Sequence, residues 1–191
     1  MGVDGGSVSR GREGGTILVT VLLHGSRIVE LRLGKIEVDG RDALQVLFSM
    51  LTSLAYDVVM LSGVSFAGFN VVDIKLLARK IRRPVVAVIR EKPDNKAVQA
   101  ALEKHFDDWR ERWSAVKAAG RLYSCKPVCD EPKLYFEVSG GSPALARQAI
   151  ISSSMISRLP EPVRVAGIFA KGGWVSDFHE VNQANLQRPQ I

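Results

Sequence analysis

Four side chains in this chain stand directly after strand-like apolar runs: Asp4, Asp39, Ser62 and Arg90. Ligands of open α/β sheets gather at the carboxyl ends of the strands, so these are the first places to look for chemistry. Two carboxylates brought together there, Asp4 and Asp39, would hold one or two Mg²⁺ ions, activate a water and neutralise the oxygens of a scissile phosphodiester. A neighbouring cation would steady the charge that develops in the transition state, and Arg90 stands with Glu91 and Lys92 beside it. The same residues have a plainer reading, in which Asp39 and Asp42 are a turn residue and a helix-start residue. Asp4 follows only Met1-Gly2-Val3, which makes a stub of any strand that carries it.

The segments that must position these groups read as a mixed sheet with helices on its faces. Residues 17–23 and 28–38 are β-branched and partly alternating, with His-Gly-Ser turn chemistry between them, and predict an antiparallel hairpin. Glu30, Arg32 and Lys35 interleave with Val29, Leu31, Leu33, Ile36 and Val38, so one face is expected to be wet. Asp39-Gly40 ends the hairpin, and Leu44, Leu47, Phe48, Leu51 and Leu54 follow the period of a helix. A short apolar strand is expected over 58–61, a loop from Ser62-Gly63, and a second helix from about Asn70 to the basic cluster at 78–83. Asn70 would cap that helix and leave the N–H groups of its first turn free for a phosphate.

Residues 85–89 are almost continuously apolar, as strands buried on both faces are. Pro93-Asp94-Asn95 opens a long helix closing at Gly120, with Val98, Leu102, Phe106, Trp109, Trp113 and Val116 on one stripe. The tryptophans invite a role as a stacking platform for bases, but their spacing is that of a core stripe. His105 on the same helix reads as a packing or surface histidine. A strand over 134–138 and helices from about 144 to 157 and from 163 to 171 complete the order.

Composition limits what such a sheet can be. The 191 residues carry 26 Lys and Arg against 20 Asp and Glu, a net charge of +6, with 46% hydrophobic and 24% charged residues. This is too apolar for a disordered chain and too short for two autonomous cores, and the basic balance suits a polyanionic partner. One domain is expected over residues 1–174, with a glycine-rich mobile loop near 5–15 and a polar tail over 175–191. No apolar stretch is long enough to span a membrane and no secretory leader is evident, so the expected compartment is the cytoplasm. The two cysteines, Cys125 and Cys129, read as ordinary thiols or a local disulfide.

The segment L-S-G-V-S-F-A-G-F-N-V-V-D-I over 61–74 resembles the L-D-G-[IV]-T-F-[AG]-G-F-N-V-V-D motif of the archaeal endonuclease-V-like family, some of whose members are called endonuclease dU. Further matches follow in order along nearly the whole chain: G-V-D-G at 2–5, V-D-G-R-D-A at 38–43, V-I-R-E-K-P-D at 88–94, K-H-F-D-D-W-R-E-R-W at 104–113 and P-E-P-V-R-V-A at 160–166. The resemblance implies an α/β, RNase H-like fold with endonuclease V architecture, and Mg²⁺- or Mn²⁺-dependent cleavage of DNA near a deaminated base, deoxyuridine in particular.

Carried over by position, Asp4 matches the family's first-strand aspartate, Asp39 its second acid and Arg90 its basic position. Gly63 and Gly68 would allow the backbone close to the substrate, beside Phe66, Asn70 and Lys92. Two departures stand out. Ser62 replaces the aspartate of L-D-G, and Gly5 replaces the second aspartate of G-I-D-D. The family also has several residues before G-I-D-D, so either a start lies upstream or half a central strand is missing. A serine hydroxyl is neutral and a poor Mg²⁺ ligand. The expected function is therefore DNA binding related to metal-dependent endonucleases, with activity weakened or lost. The alternatives are a non-catalytic nucleic-acid binder and a basic protein-interaction module.

Overall fold

In a computed structural model, which describes residues 1–6 and 15–172, a seven-stranded mixed sheet is sandwiched between helices. Its strands are β1 (Gly2–Gly5), β2 (Thr16–His24), β3 (Arg27–Ile36), β4 (Val59–Leu61), β7 (Val85–Ile89), β8 (Tyr123–Cys125) and β9 (Leu134–Ser139), and β5 (Ser65–Phe66) and β6 (Asn70–Val71) form a separate miniature hairpin. The order across the sheet is β3-β2-β1-β4-β7-β9-β8. Strand β1 is thus central, antiparallel to β2 and parallel to β4.

Burial on both faces explains the unbroken apolar runs of β4 and β7. Val59, Leu61, Val85 and Ala87 join the core under α1 (Ala43–Leu51) and α2 (Ile74–Ile81), while Met60, Val86 and Val88 join the core under α5 (Pro143–Ser153) and α6 (Glu161–Gly172). Helix α6 lies almost on the backbone of β1. A Cβ added at Gly2 would sit 2.1 Å from the carbonyl carbon of Pro162, so only glycine permits that approach.

Three details differ from the sequence reading. The long helix is two, α3 (Asn95–His105) and α4 (Trp109–Ala118), because Phe106 adopts an extended conformation and Asp108 starts a new helix. The break turns Arg112 inward, so that the buried residue of α4 is an arginine, while Trp109 and Trp113 are only half-buried and His105 is exposed. Asn70 belongs to β6 and does not cap α2; Asp73 does, accepting the Leu76 N–H at 2.8 Å. The hairpin β5–β6 and the strand β8 carry no sequence signal of their own, since segments of two or three residues are too short to show a period. The thiols of Cys125, buried, and Cys129, exposed, are unbridged. The glycine-rich loop and the tail over 175–191 lie outside the described residues, apart from Gly5, Gly6 and Gly15.

Candidate functional site

Strands β1, β3, β4 and β7 all run the same way, so Gly5, Ile36, Leu61 and Ile89 end on one rim. Asp4, Asp39, Ser62 and Arg90 therefore share that rim, as expected. They divide into two groups.

The first group centres on Asp4. Val3 faces the core under α1 and α2, so the next residue along the strand faces the opposite side, beneath α6. There the carboxylate accepts the Gly5 N–H at 2.8 Å and the Ser62 hydroxyl, both on Oδ1. Ser62 is held in turn by its own N–H, which donates to Val3 O at 3.0 Å. The other oxygen, Oδ2, faces Gly167 of α6, where an added Cβ would come within 2.5 Å. The absence of a side chain at Gly167 makes room for the carboxylate.

The second group surrounds Asp39. This residue has φ 55, a left-handed conformation that aspartate tolerates better than most residues. Its N–H donates to Ala67 O at 2.8 Å and its carboxylate accepts the Phe69 N–H at 2.7 Å, which fastens the β3–α1 turn to the β5–β6 hairpin. Gly68, at φ 83, leaves space for that carboxylate, because a Cβ there would lie 2.2 Å from Oδ1. Asn70 is fully buried and spends its amide internally: Oδ1 accepts the Ala43 N–H at 3.0 Å, and Nδ2 donates to Glu37 O at 3.0 Å and to Asp42 at 2.6 Å. It thus caps α1, a role that its place before α2 in the sequence concealed.

Arg112, 9% exposed, clamps the same turn from outside, donating to Gly40 O at 3.0 Å, Phe69 O at 2.7 Å and Asp108 at 2.8 Å, with its guanidinium 4.4 Å above the Phe106 ring. Hydrogen bonding to Arg112 holds the Asp108 carboxyl below its ordinary range. Sequence reasoning missed Arg112; the signal was its place in K-H-F-D-D-W-R-E-R-W, obscured by the aromatic stripe.

Phe66, buried, lies between the groups, its Cδ1 3.2 Å from where a Cβ on Gly5 would be, while Gly63 has open space around it. Arg90 and Lys92 are exposed. Arg158 pins their loop, donating to Arg90 O at 3.2 Å, to Lys133 O at 3.1 Å and to Glu91 at 3.1 Å. Glu137, opposite Ala87 on β9, is a buried carboxyl that the sequence reading did not single out, and burial pushes its pKa up to about 7.

The donor set does not suit the implied Mg²⁺ or Mn²⁺. Hard divalent cations want several anionic oxygens. Ser62 brings a neutral hydroxyl that already donates to Asp4, while Asp39 gives an oxygen to Phe69, and among the described residues no group of three or more Asp, Glu, His or Cys side chains comes together.

The strand order and the shared rim define an α/β protein of RNase H-like fold with endonuclease V architecture. The solved structures it resembles include human ENDOV, with a TM-score of 0.56 and 15% identity over 88% of this chain and 81% of that one. Endonuclease V of Ciona intestinalis, in complex with DNA containing an inosine, gives 0.53 and 15% over 96% and 85%. A protein of unknown function from Archaeoglobus fulgidus gives 0.78 at 27% identity, covering 88% of this chain and 94% of that one. Residues 1–173 match the Endonuclease dU family, and the chain belongs to it. A UPF0215 protein of Thermococcus gammatolerans is 38% identical over 177 residues, 89% of each chain, and one of Methanothermobacter thermautotrophicus is 33% identical over 177 residues, 90% of this chain and 85% of that one.

Proposed function

We propose that this protein binds DNA containing deaminated bases, deoxyuridine among them, along the rim formed by Asp4, Ser62, the β5–β6 hairpin and Arg90, and that it cleaves this DNA weakly or not at all. Family membership, the likeness to an inosine-DNA complex and the net charge of +6 support the binding half. Gly63 and Gly68 would let backbone approach the strand, Phe66 would back the hairpin, and Arg90 and Lys92 would meet phosphates. Asn70 would contribute only by holding the turn.

The hydroxyl of Ser62, donated to Asp4 where the family motif has a third acid, carries the second half. Without that charge the rim has the shape of the site but not the anionic oxygens a divalent ion needs. The test uses a deoxyuridine-containing duplex and an undamaged control. Binding should weaken linearly as the logarithm of salt rises, and a flat response would reject phosphate contact in favour of a basic protein-interaction module. Nicking in Mg²⁺ or Mn²⁺ should match that of Asp4→Ala, while Ser62→Asp should rise above both. Strong nicking by the unmodified protein, abolished by Asp4→Ala, would overturn the claim of weak activity.

A further inference from the structure

The chain's positive charge is concentrated in one segment. Between Asp73 and Glu91 there are six cations, Lys75, Arg79, Lys80, Arg82, Arg83 and Arg90, and no acid, while in the rest of the chain basic and acidic residues number 20 each. The first five lie on or just beyond α2, which Asp73 caps at the rim and which runs back over β7 for about 12 Å toward the opposite end of the sheet. All five are exposed, and among the described residues none of them forms an ion pair. Lys80 stands 5.1 Å over the Phe48 ring and Arg83 donates to Tyr56 O at 3.1 Å. Lys75, Arg79 and Arg82 remain as one stripe along the outside of the helix.

Helix stability alone does not account for this row. Cations are favourable in the last turn, where Arg79 and Lys80 stand, but Lys75 is in the first turn, at the positive end of the helix dipole, with no acid there to offset it. Lys75 and Arg79 repel each other at a spacing of four. Arg82 closes the helix at φ 54, a left-handed conformation in which glycine would be unstrained. At Lys75 and Arg82, then, a cation stands where an uncharged or smaller residue would fold better. We infer that Lys75, Arg79 and Arg82 form a second nucleic-acid contact, a track that follows the phosphates of duplex DNA away from the rim without reading its bases. The inference rests on the DNA binding proposed for the rim: Lys75 begins the track at the rim end of α2 and Arg82 ends it at the far end. A membrane surface does not fit, because Ile74, Leu77 and Ala78 are buried and Leu76 and Ile81 half-buried, so α2 exposes no apolar side chain that could enter a headgroup layer.

The test sets a combined variant of the full chain, Lys75→Gln with Arg79→Gln and Arg82→Gln, beside Arg90→Ala, on long and short deoxyuridine duplexes and on a long undamaged one. The combined variant should lower the slope of log affinity against log salt by about three on both long duplexes and weaken both by the same factor. On a duplex too short to reach past the rim it should bind as the unmodified protein does. Arg82→Gly should raise the midpoint of urea unfolding and still weaken binding to the long duplexes, a pair of signs that a purely structural arginine would not give. An unchanged slope in the combined variant, while Arg90→Ala lowers it, would overturn the track and leave the rim reading standing; a flat salt response of the unmodified protein would overturn both. Tighter binding to phosphatidylserine vesicles or to polyglutamate than to the long duplexes at the same salt would overturn the track in favour of a membrane or an acidic protein.

Discussion

The two groups on the rim are built very differently. Around Asp39 the backbone and side chains are tied in several directions, by Ala67 and Phe69, by the buried amide of Asn70 and by the guanidinium of Arg112. Around Asp4 there is one backbone N–H, one hydroxyl and a glycine on the facing helix. The contrast separates the two parts of the rim: the loops around Asp39 are fastened from several sides, whereas the Asp4 carboxylate meets the neutral hydroxyl of Ser62. The proposed weak cleavage rests on this difference.

The widest separation between the groups should appear in folding stability. Arg112→Ala removes a buried charge and strands Gly40 O, Phe69 O and Asp108, and should cost about 3 to 5 kcal/mol in urea unfolding. Asp4→Ala should be nearly neutral by the same measurement, and an equal loss at the two positions would break the contrast. Asn70→Ala should cost about 2 to 3 kcal/mol, because it leaves the Ala43 N–H and the Glu37 carbonyl without partners in a buried site.

Glu137 provides a carboxyl outside both groups. Its pKa rises from 4.5 unfolded to about 7 folded through burial, so the folded state keeps a proton that the unfolded chain has released. Stability is full below the unfolded value, falls as pH climbs between the two, and levels off above the folded one. With allowance for partial solvent access, the fall should be about 2 kcal/mol, and Glu137→Gln should flatten it in a series of thermal melts.

Ser62→Asp sharpens the contrast from the other side. Two carboxylates facing one another without a cation should cost about 1 kcal/mol. Mg²⁺ should return that loss in the variant and leave the unmodified protein's melting temperature unchanged; an equal response in both would show that the rim already holds the ion. Arg90→Ala, at an exposed position, should move stability by less than about 0.5 kcal/mol and reduce the slope of DNA affinity against salt by about one.

Much of this was readable in the residues. The alternation of β2 and β3 and the continuous apolar runs of β4 and β7 announced the sheet, and strand ends placed Asp4, Asp39, Ser62 and Arg90 on one rim. What escaped reading depends on contacts between distant segments. Asn70 reaches back 27 residues to cap α1, and Arg112 crosses 72 residues to Gly40, so neither role leaves a local pattern. The Phe106 break likewise hid inside a stripe with helical spacing on either side of it.

Gly167 gives the Asp4 group an unusual dependence. The carboxylate keeps its place because, more than 160 residues along the chain, a helix offers it bare backbone. A single methyl there would act as a wedge, lifting α6 from the sheet or turning the acid aside. The rim could thus be silenced without altering any charged residue, and an inventory of acids alone would never detect the change.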